Sequence, residues 1–254
     1  MPFADVDGLK TYYDSKGKGK PVLFVHGAGS DRRIWDNQLS GLSNRLRVIV
    51  LDLPGHGKSE QLEGRQTIER FADHVASFMK VIGLDKATLV GISMGGLVVQ
   101  QLCLKHPELL EKLVVVDSAA KILVPQVALD LYRNQYEFAV KQLTPMSFSK
   151  KTVKANPVVV KLHVEQDLET DPKVGAQDYE AVSGVDFSAK LKNIKIPTLI
   201  IRGADDLLIT QSMADFLHEN IKGSKLEIIP DAGHVNMLEK PEHFNNVILM
   251  FIGS

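Results

Sequence analysis

A serine, a histidine and an acid, each placed where an apolar run ends, are the residues of this chain that could do chemistry together. Ser93 is the centre of Gly91-Ile92-Ser93-Met94-Gly95, a G-x-S-x-G pattern. The pattern is weak alone; its setting, between the apolar run Ala87–Ile92 and a helical stretch from Met94, strengthens it. A strand turning directly into a helix forces the middle residue into a strained backbone, and side chains at 91 and 95 would collide. The same turn presents the Ser93 hydroxyl at a helix N-terminus, where free N–H groups favour negative charge. That is a nucleophile's setting.

A base and an acid have to follow. Gly233-His234 comes after the run Lys225–Pro230 and before the last helical stretch. Histidine suits a general base because its ordinary pKa lies near neutrality. His56, in Pro54-Gly55-His56-Gly57, is the competitor and reads as a structural residue of a tight turn near the site. The acid that orients the histidine is expected in Arg202-Gly203-Ala204-Asp205-Asp206, with Asp117 as a third candidate. Spacing alone does not separate Asp205 from Asp206. For the oxyanion of an acyl transfer, the expected donors are the backbone N–H groups of Met94 and of Ala28, in His26-Gly27-Ala28-Gly29.

These residues need a scaffold that ends strands along one edge. The strand candidates are Pro21–His26, Arg47–Asp52, Ala87–Ile92, Lys112–Asp117, Pro197–Gly203 and Lys225–Pro230. Most are Val/Ile/Leu runs without polar alternation, as in strands covered on both faces. A hairpin, Phe3–Val6 and Lys10–Asp14 through Asp7-Gly8, adds an antiparallel edge. Helical stretches fall at Thr67–Gly83, Met94–His106 and Glu239–Ile252. The alternation predicts an α/β fold, a mainly parallel twisted sheet of about eight strands with helices on both faces. It lapses between 119 and 187, where patterns are helical only. Residues 1–118 and 188–254 are therefore expected to form the core and 119–187 a helical cap insertion.

Bulk properties exclude several classes. Thirty basic residues against 31 acidic ones give a net charge of -1, with no basic stripe for nucleic acid. No apolar window is long enough to span a bilayer, and the first ten residues lack a signal peptide's basic start and apolar run. The single Cys103 reads as a buried apolar residue and suits a reducing compartment, so cytoplasmic is the expected location. Trp35 reads as packing and Lys150-Lys151 with Lys154 as a solvated run.

Taken with Asp52-Leu53-Pro54-Gly55-His56-Gly57-Lys58-Ser59 and Gly91-Ile92-Ser93-Met94-Gly95-Gly96, these motifs resemble the α/β-hydrolase family, of the small capped serine esterase and lactonase-like type. The resemblance covers all but the cap. It places the acid three residues after the strand-ending glycine, which selects Asp206, although some members place it after the strand that ends here at Asp117. A proline common four positions beyond that acid is Thr210 here. The resemblance implies a Ser93–His234–Asp206 triad acting through an acyl-enzyme on a small, uncharged ester or lactone, with no metal and no organic cofactor. A C–C bond hydrolase or a perhydrolase would use the same three residues, and a small-ligand receptor with little turnover could keep the fold. The expected partner is the small-molecule substrate alone; oligomeric state is not legible. Leu208, Val235 and Gly27 are pocket candidates. Val124, Val127, Leu131, Tyr132, Phe138, Met146 and Phe148 could line the pocket but are expected mostly to pack the cap.

Overall fold

The apolar runs become β3 (Pro21–Val25), β4 (Arg47–Leu51), β5 (Ala87–Ile92), β6 (Leu110–Val116), β7 (Thr198–Gly203) and β8 (Lys225–Ile229), preceded by β1 (Phe3–Val6) and β2 (Leu9–Lys16). In the computed structural model, which describes residues 3–253, they form one sheet in the order β1-β2-β4-β3-β5-β6-β7-β8. Met1, Pro2 and Ser254, at the ends of the expected core segments, lie outside the described residues. β2 runs antiparallel to β1 and β4, and every other pairing is parallel. The β1–β2 turn at Asp7-Gly8 has positive φ at both residues, 53° and 85°, the handedness that matches strand twist. β8 stops at Ile229, short of Pro230, which has no N–H to pair.

Side chains alternate across this sheet, and both faces are apolar. Leu23, Val25, Ile49, Leu51, Leu89 and Leu113 pack under α2 (Ile68–Val81), α3 (Met94–Lys105) and α9 (Gln211–Asn220), against Phe71, Leu97 and Leu217. Val22, Phe24, Val48, Val50, Val90 and Val114 face α1 (Asp36–Leu42) and α11 (Pro241–Gly253), against Leu42, Phe244 and Ile248. Each such side chain contributes roughly 1.5–3 kcal/mol by leaving water. Trp35 is fully buried, its ring 4.9 Å from Phe24 and 6.0 Å from Phe244, so it is packing, and Cys103 is buried beside α2 with its thiol pushed up to about 12. Thr67 caps α2, its hydroxyl accepting from Arg70 N–H at 3.2 Å.

The expected single helix over Glu239–Ile252 is in fact two, α10 (Asn236–Glu239) and α11. Pro241 forces Lys240 out of the helical region, to φ -134° and ψ 56°. Between β6 and β7 the chain forms no strand but five helices: α4 (Gln126–Asn134), α5 (Tyr136–Leu143), α6 (Lys150–Ala155), α7 (Pro157–Asp167) and α8 (Pro172–Ser183). α4, α5 and α8 share a small core of Tyr132, Tyr136, Ala139, Val140 and Ala176, with the Tyr132 and Tyr179 rings stacked at 3.7 Å. Among the described residues no helix is long and apolar enough to cross a membrane.

Candidate active site

Ser93 is the one residue between β5 and α3, with φ 53° and ψ -115°. A side chain there is strained by roughly 1–3 kcal/mol and persists because its neighbours leave no alternative. A Cβ at Gly91 would sit 2.1 Å from the Gly95 carbonyl oxygen, and one at Gly95 would sit 2.4 Å from that of His26. Both glycines are therefore obligatory, as the turn requires. Ser93 N–H donates to Val116 O at 3.0 Å, while the N–H groups of Met94 and Ala28 have no hydrogen-bond partner among the described residues. His26 braces the loop that carries Ala28: Leu53 N–H donates to its Nε2 at 3.0 Å, so Nδ1–H donates to Gly27 O at 2.9 Å. Burial, helped by the charge of His56, lowers the His26 pKa to about 3 and keeps this ring neutral.

The base and acid come from the ends of β7 and β8. A Cβ at Gly203 would lie 2.0 Å from Gly233 O, so only glycine lets the two loops cross this closely. His234 Nδ1–H donates to Asp206 Oδ2 at 2.9 Å, and the other oxygen accepts from Leu208 and Ile209 N–H at 2.7 and 3.1 Å. Burial opposes the charge of Asp206, but His234 and these two N–H groups outweigh it and hold the carboxyl below its ordinary range. Asp205 is exposed, its N–H tied to Ala232 O. Of the adjacent pair it is thus Asp206 that meets the histidine.

Asp117 also lies here, within 4.8 Å of both Asp206 and His234. Its Oδ1 accepts from Gly203 N–H at 2.8 Å and its Oδ2 from the Asn236 amide. Burial, then the negative charge of Asp206, pushes its carboxyl well above the ordinary range. As a metal site the cluster is a poor fit, because every carboxylate oxygen in it already faces an N–H.

Ser93 and His234 line one cavity of about 300 Å³, although no hydrogen bond joins the Ser93 hydroxyl to His234 among the described residues. Gly27, Leu208 and Val235 line it as expected, and so do Val124, Tyr132 and Met146 from the helical stretch. Val127 and Phe138 are exposed instead, Leu131 joins the small helical core, and Phe148 packs into the sheet-side core.

The helical stretch also supplies polar residues that the motifs did not single out. Gly29 N–H donates to Asp178 Oδ2 at 2.9 Å, and the Thr170 hydroxyl donates to Gly29 O at 2.8 Å. Asp178 Oδ2 also accepts from His56 Nε2 at 2.7 Å, while His56 Nδ1 donates to Pro54 O at 3.1 Å. With an acceptor at each nitrogen, His56 must carry both protons; burial opposes this, but Asp178 raises its pKa above the ordinary value. On the base side, Glu239 accepts from Gly233 N–H at 2.6 Å and from Ser149 N–H at 3.0 Å. The signal for Asp178 was its place among buried Val174, Gly175, Ala181 and Val182, a polar residue in a helical stripe that faces inward.

Comparison with known proteins places the chain in a family. The sequence model of the alpha/beta hydrolase fold family matches residues 20–241, and the chain belongs to that family. It is an enzyme of the hydrolase class. It is 30% identical, over 98% of its length and 90% of the relative's, to a 2-hydroxy-6-oxo-6-(2'-aminophenyl)hexa-2,4-dienoic acid hydrolase of Metapseudomonas resinovorans. It is 30% identical, over 89% of its length and 86% of the relative's, to a 3-oxoadipate enol-lactonase of Acinetobacter baylyi. The crystal structure of the enol-lactonase from Burkholderia xenovorans superposes with a TM-score of 0.94 at 28% identity, covering all of both chains.

Proposed function

We propose that this hydrolase cleaves a small, uncharged ester or lactone with Ser93 as nucleophile, His234 as general base and Asp206 as the orienting acid. His234 takes the Ser93 proton as the serine oxygen attacks the acyl carbonyl. The unpartnered N–H groups of Ala28 and Met94 hold the oxyanion, and His234 then protonates the leaving oxygen. Water, deprotonated by the same histidine, releases the acid from the acyl-enzyme. In this reading residues 119–187 are the cap over the site.

The observation that carries the reading is convergence. A strained serine, a histidine bonded to a buried carboxylate, and the loops bearing two free N–H donors meet at one cavity. The lining contains no Lys or Arg to pair with a substrate carboxylate, which supports an uncharged acyl group. The likeness to enol-lactonases at nearly full length supports the ester or lactone class.

The test is hydrolysis of p-nitrophenyl esters from acetyl to octanoyl by wild type and Ser93→Ala. Wild-type turnover should fall by about 10⁵–10⁶ in the mutant. A folded wild type inactive on every ester and on simple lactones, or a mutant that keeps its rate, overturns the assignment.

A further inference from the structure

The cavity wall carries two polar residues that acyl transfer leaves unused. His163 and Asp167, one turn apart on α7, both line it and are 5% and 7% exposed. The Thr144 hydroxyl donates to Asp167 Oδ2 at 3.1 Å, and the Phe148 ring meets the imidazole edge-on at 5.7 Å. Nδ1 of His163 faces Asp167 Oδ1 at 3.7 Å, and neither atom has a hydrogen-bond partner. Nε2 makes no hydrogen bond to the protein either but, unlike Nδ1, is not sealed from solvent. The open space that His163 lines is the cavity.

Burial lowers the His163 pKa to about 4 and raises the Asp167 carboxyl well above its ordinary range. Both groups are held toward their neutral forms, and at 3.7 Å Nδ1 and Oδ1 are beyond hydrogen-bond distance of each other, so Nε2 is the ring nitrogen open to a ligand. Unmade hydrogen bonds at a desolvated polar atom are costly, so an Nε2 at the cavity wall with no partner among the described residues points to a ligand that supplies one.

We propose that His163 is a specificity-determining residue: its Nε2–H donates to a second, uncharged oxygen of the substrate, a keto, hydroxyl or ether oxygen away from the scissile carbonyl. This rests on the ester or lactone reading above. The preferred substrates are then oxygenated esters or lactones and not plain alkyl ones.

The test uses paired p-nitrophenyl esters of equal shape, 4-oxopentanoate against 4-methylpentanoate and 5-oxohexanoate against 5-methylhexanoate. Wild type should favour at least one oxo ester in kcat/KM by about tenfold after correction for spontaneous hydrolysis. His163→Phe should lose that preference while still cleaving the methyl esters, and His163→Gln, which keeps a donor, should recover part of it. A wild type without preference for either oxo ester, or a preference untouched in an active His163→Phe, overturns the proposal and leaves the triad intact. Wild type cleaving none of the four esters, nor any of the simple esters and lactones, instead removes the ester or lactone reading on which it stands.

Discussion

Asp206 and Asp117 share one buried cluster with His234, yet their hydrogen bonds give them different work. Asp206 accepts from the imidazole and is held ionised, whereas Asp117 accepts from Gly203 N–H and the Asn236 amide and is held protonated. Asp206→Asn should therefore lower kcat by about 10³–10⁴, and Asp117→Asn by less than tenfold. The stability effect of Asp117 has a definite sign. Its folded pKa is raised, so its contribution is complete below the unfolded value of 3.8 and declines as pH climbs toward the folded value. Relative to wild type, Asp117→Asn should melt at an increasingly higher temperature between pH 4 and pH 7. A gap that shrinks over that range, or a larger kcat loss at 117 than at 206, contradicts the assignment. Ser93 stood out as a candidate through the glycines at 91 and 95, and His234 through its place after a strand and before the last helix, whereas the close crossing at Gly203 and Gly233 shows only in the fold. Asp206 was separable from Asp205 only through the family's spacing, since adjacent residues after one strand look alike until their backbone bonds are known. His163 and Asp178 needed helix register, which motif spacing does not carry.

The elements that hold Gly29 both come from within the chain's long helical stretch. Asp178 on α8 and Thr170 just before it grip both backbone groups of Gly29, one residue beyond the Ala28 donor. Asp178→Asn leaves an amide in place of the carboxylate that pairs with His56, so breaking this buried pair should cost about 3–5 kcal/mol at pH 6. The His56 pKa is raised by Asp178, so the pair's contribution is full below the unfolded value of 6.5 and fades as pH rises through the folded one. Thermal melts should show a wide gap between wild type and Asp178→Asn at pH 6 and a narrower one at pH 9. A gap independent of pH means that His56 is not charged in the fold. The strands behind these loops were readable because two-sided burial demands unbroken Val, Ile and Leu. The division at Lys240 was written in Pro241, whose missing N–H suits a helix start. The fine structure of the helical stretch was not readable: Val124, Tyr132 and Met146 line the cavity while Val127 and Phe138 face solvent, a distinction set by how five short helices pack.

At the scale of the whole molecule, two large cores lie on the faces of the sheet, and the helical stretch 119–187 has only the small one around Tyr132 and Tyr136 to itself, joining the large ones through Ala181, Val182 and Phe187 on one side and Phe148 and Val160 on the other. Its own core is the smallest of the three, so the stretch belongs to the low-stability end of the molecule, restrained by that shared packing and by bonds such as His234 N–H to Ser147 O at 2.7 Å. The chain's single tryptophan, Trp35, is fully buried between Phe24 and Phe244 and reports on the sheet side alone. Far-UV circular dichroism reports on every helix, α4–α8 included. In urea the dichroism should begin to fall before Trp35 fluorescence shifts, and activity should be lost with the earlier change. If the two signals coincide at every denaturant concentration, the whole chain unfolds as one cooperative unit and the small core is not independent. Earlier loss of activity would in turn tie catalysis to the helical stretch, which supplies the Asp178 and Thr170 grip on Gly29 as well as His163 and Asp167 at the cavity wall.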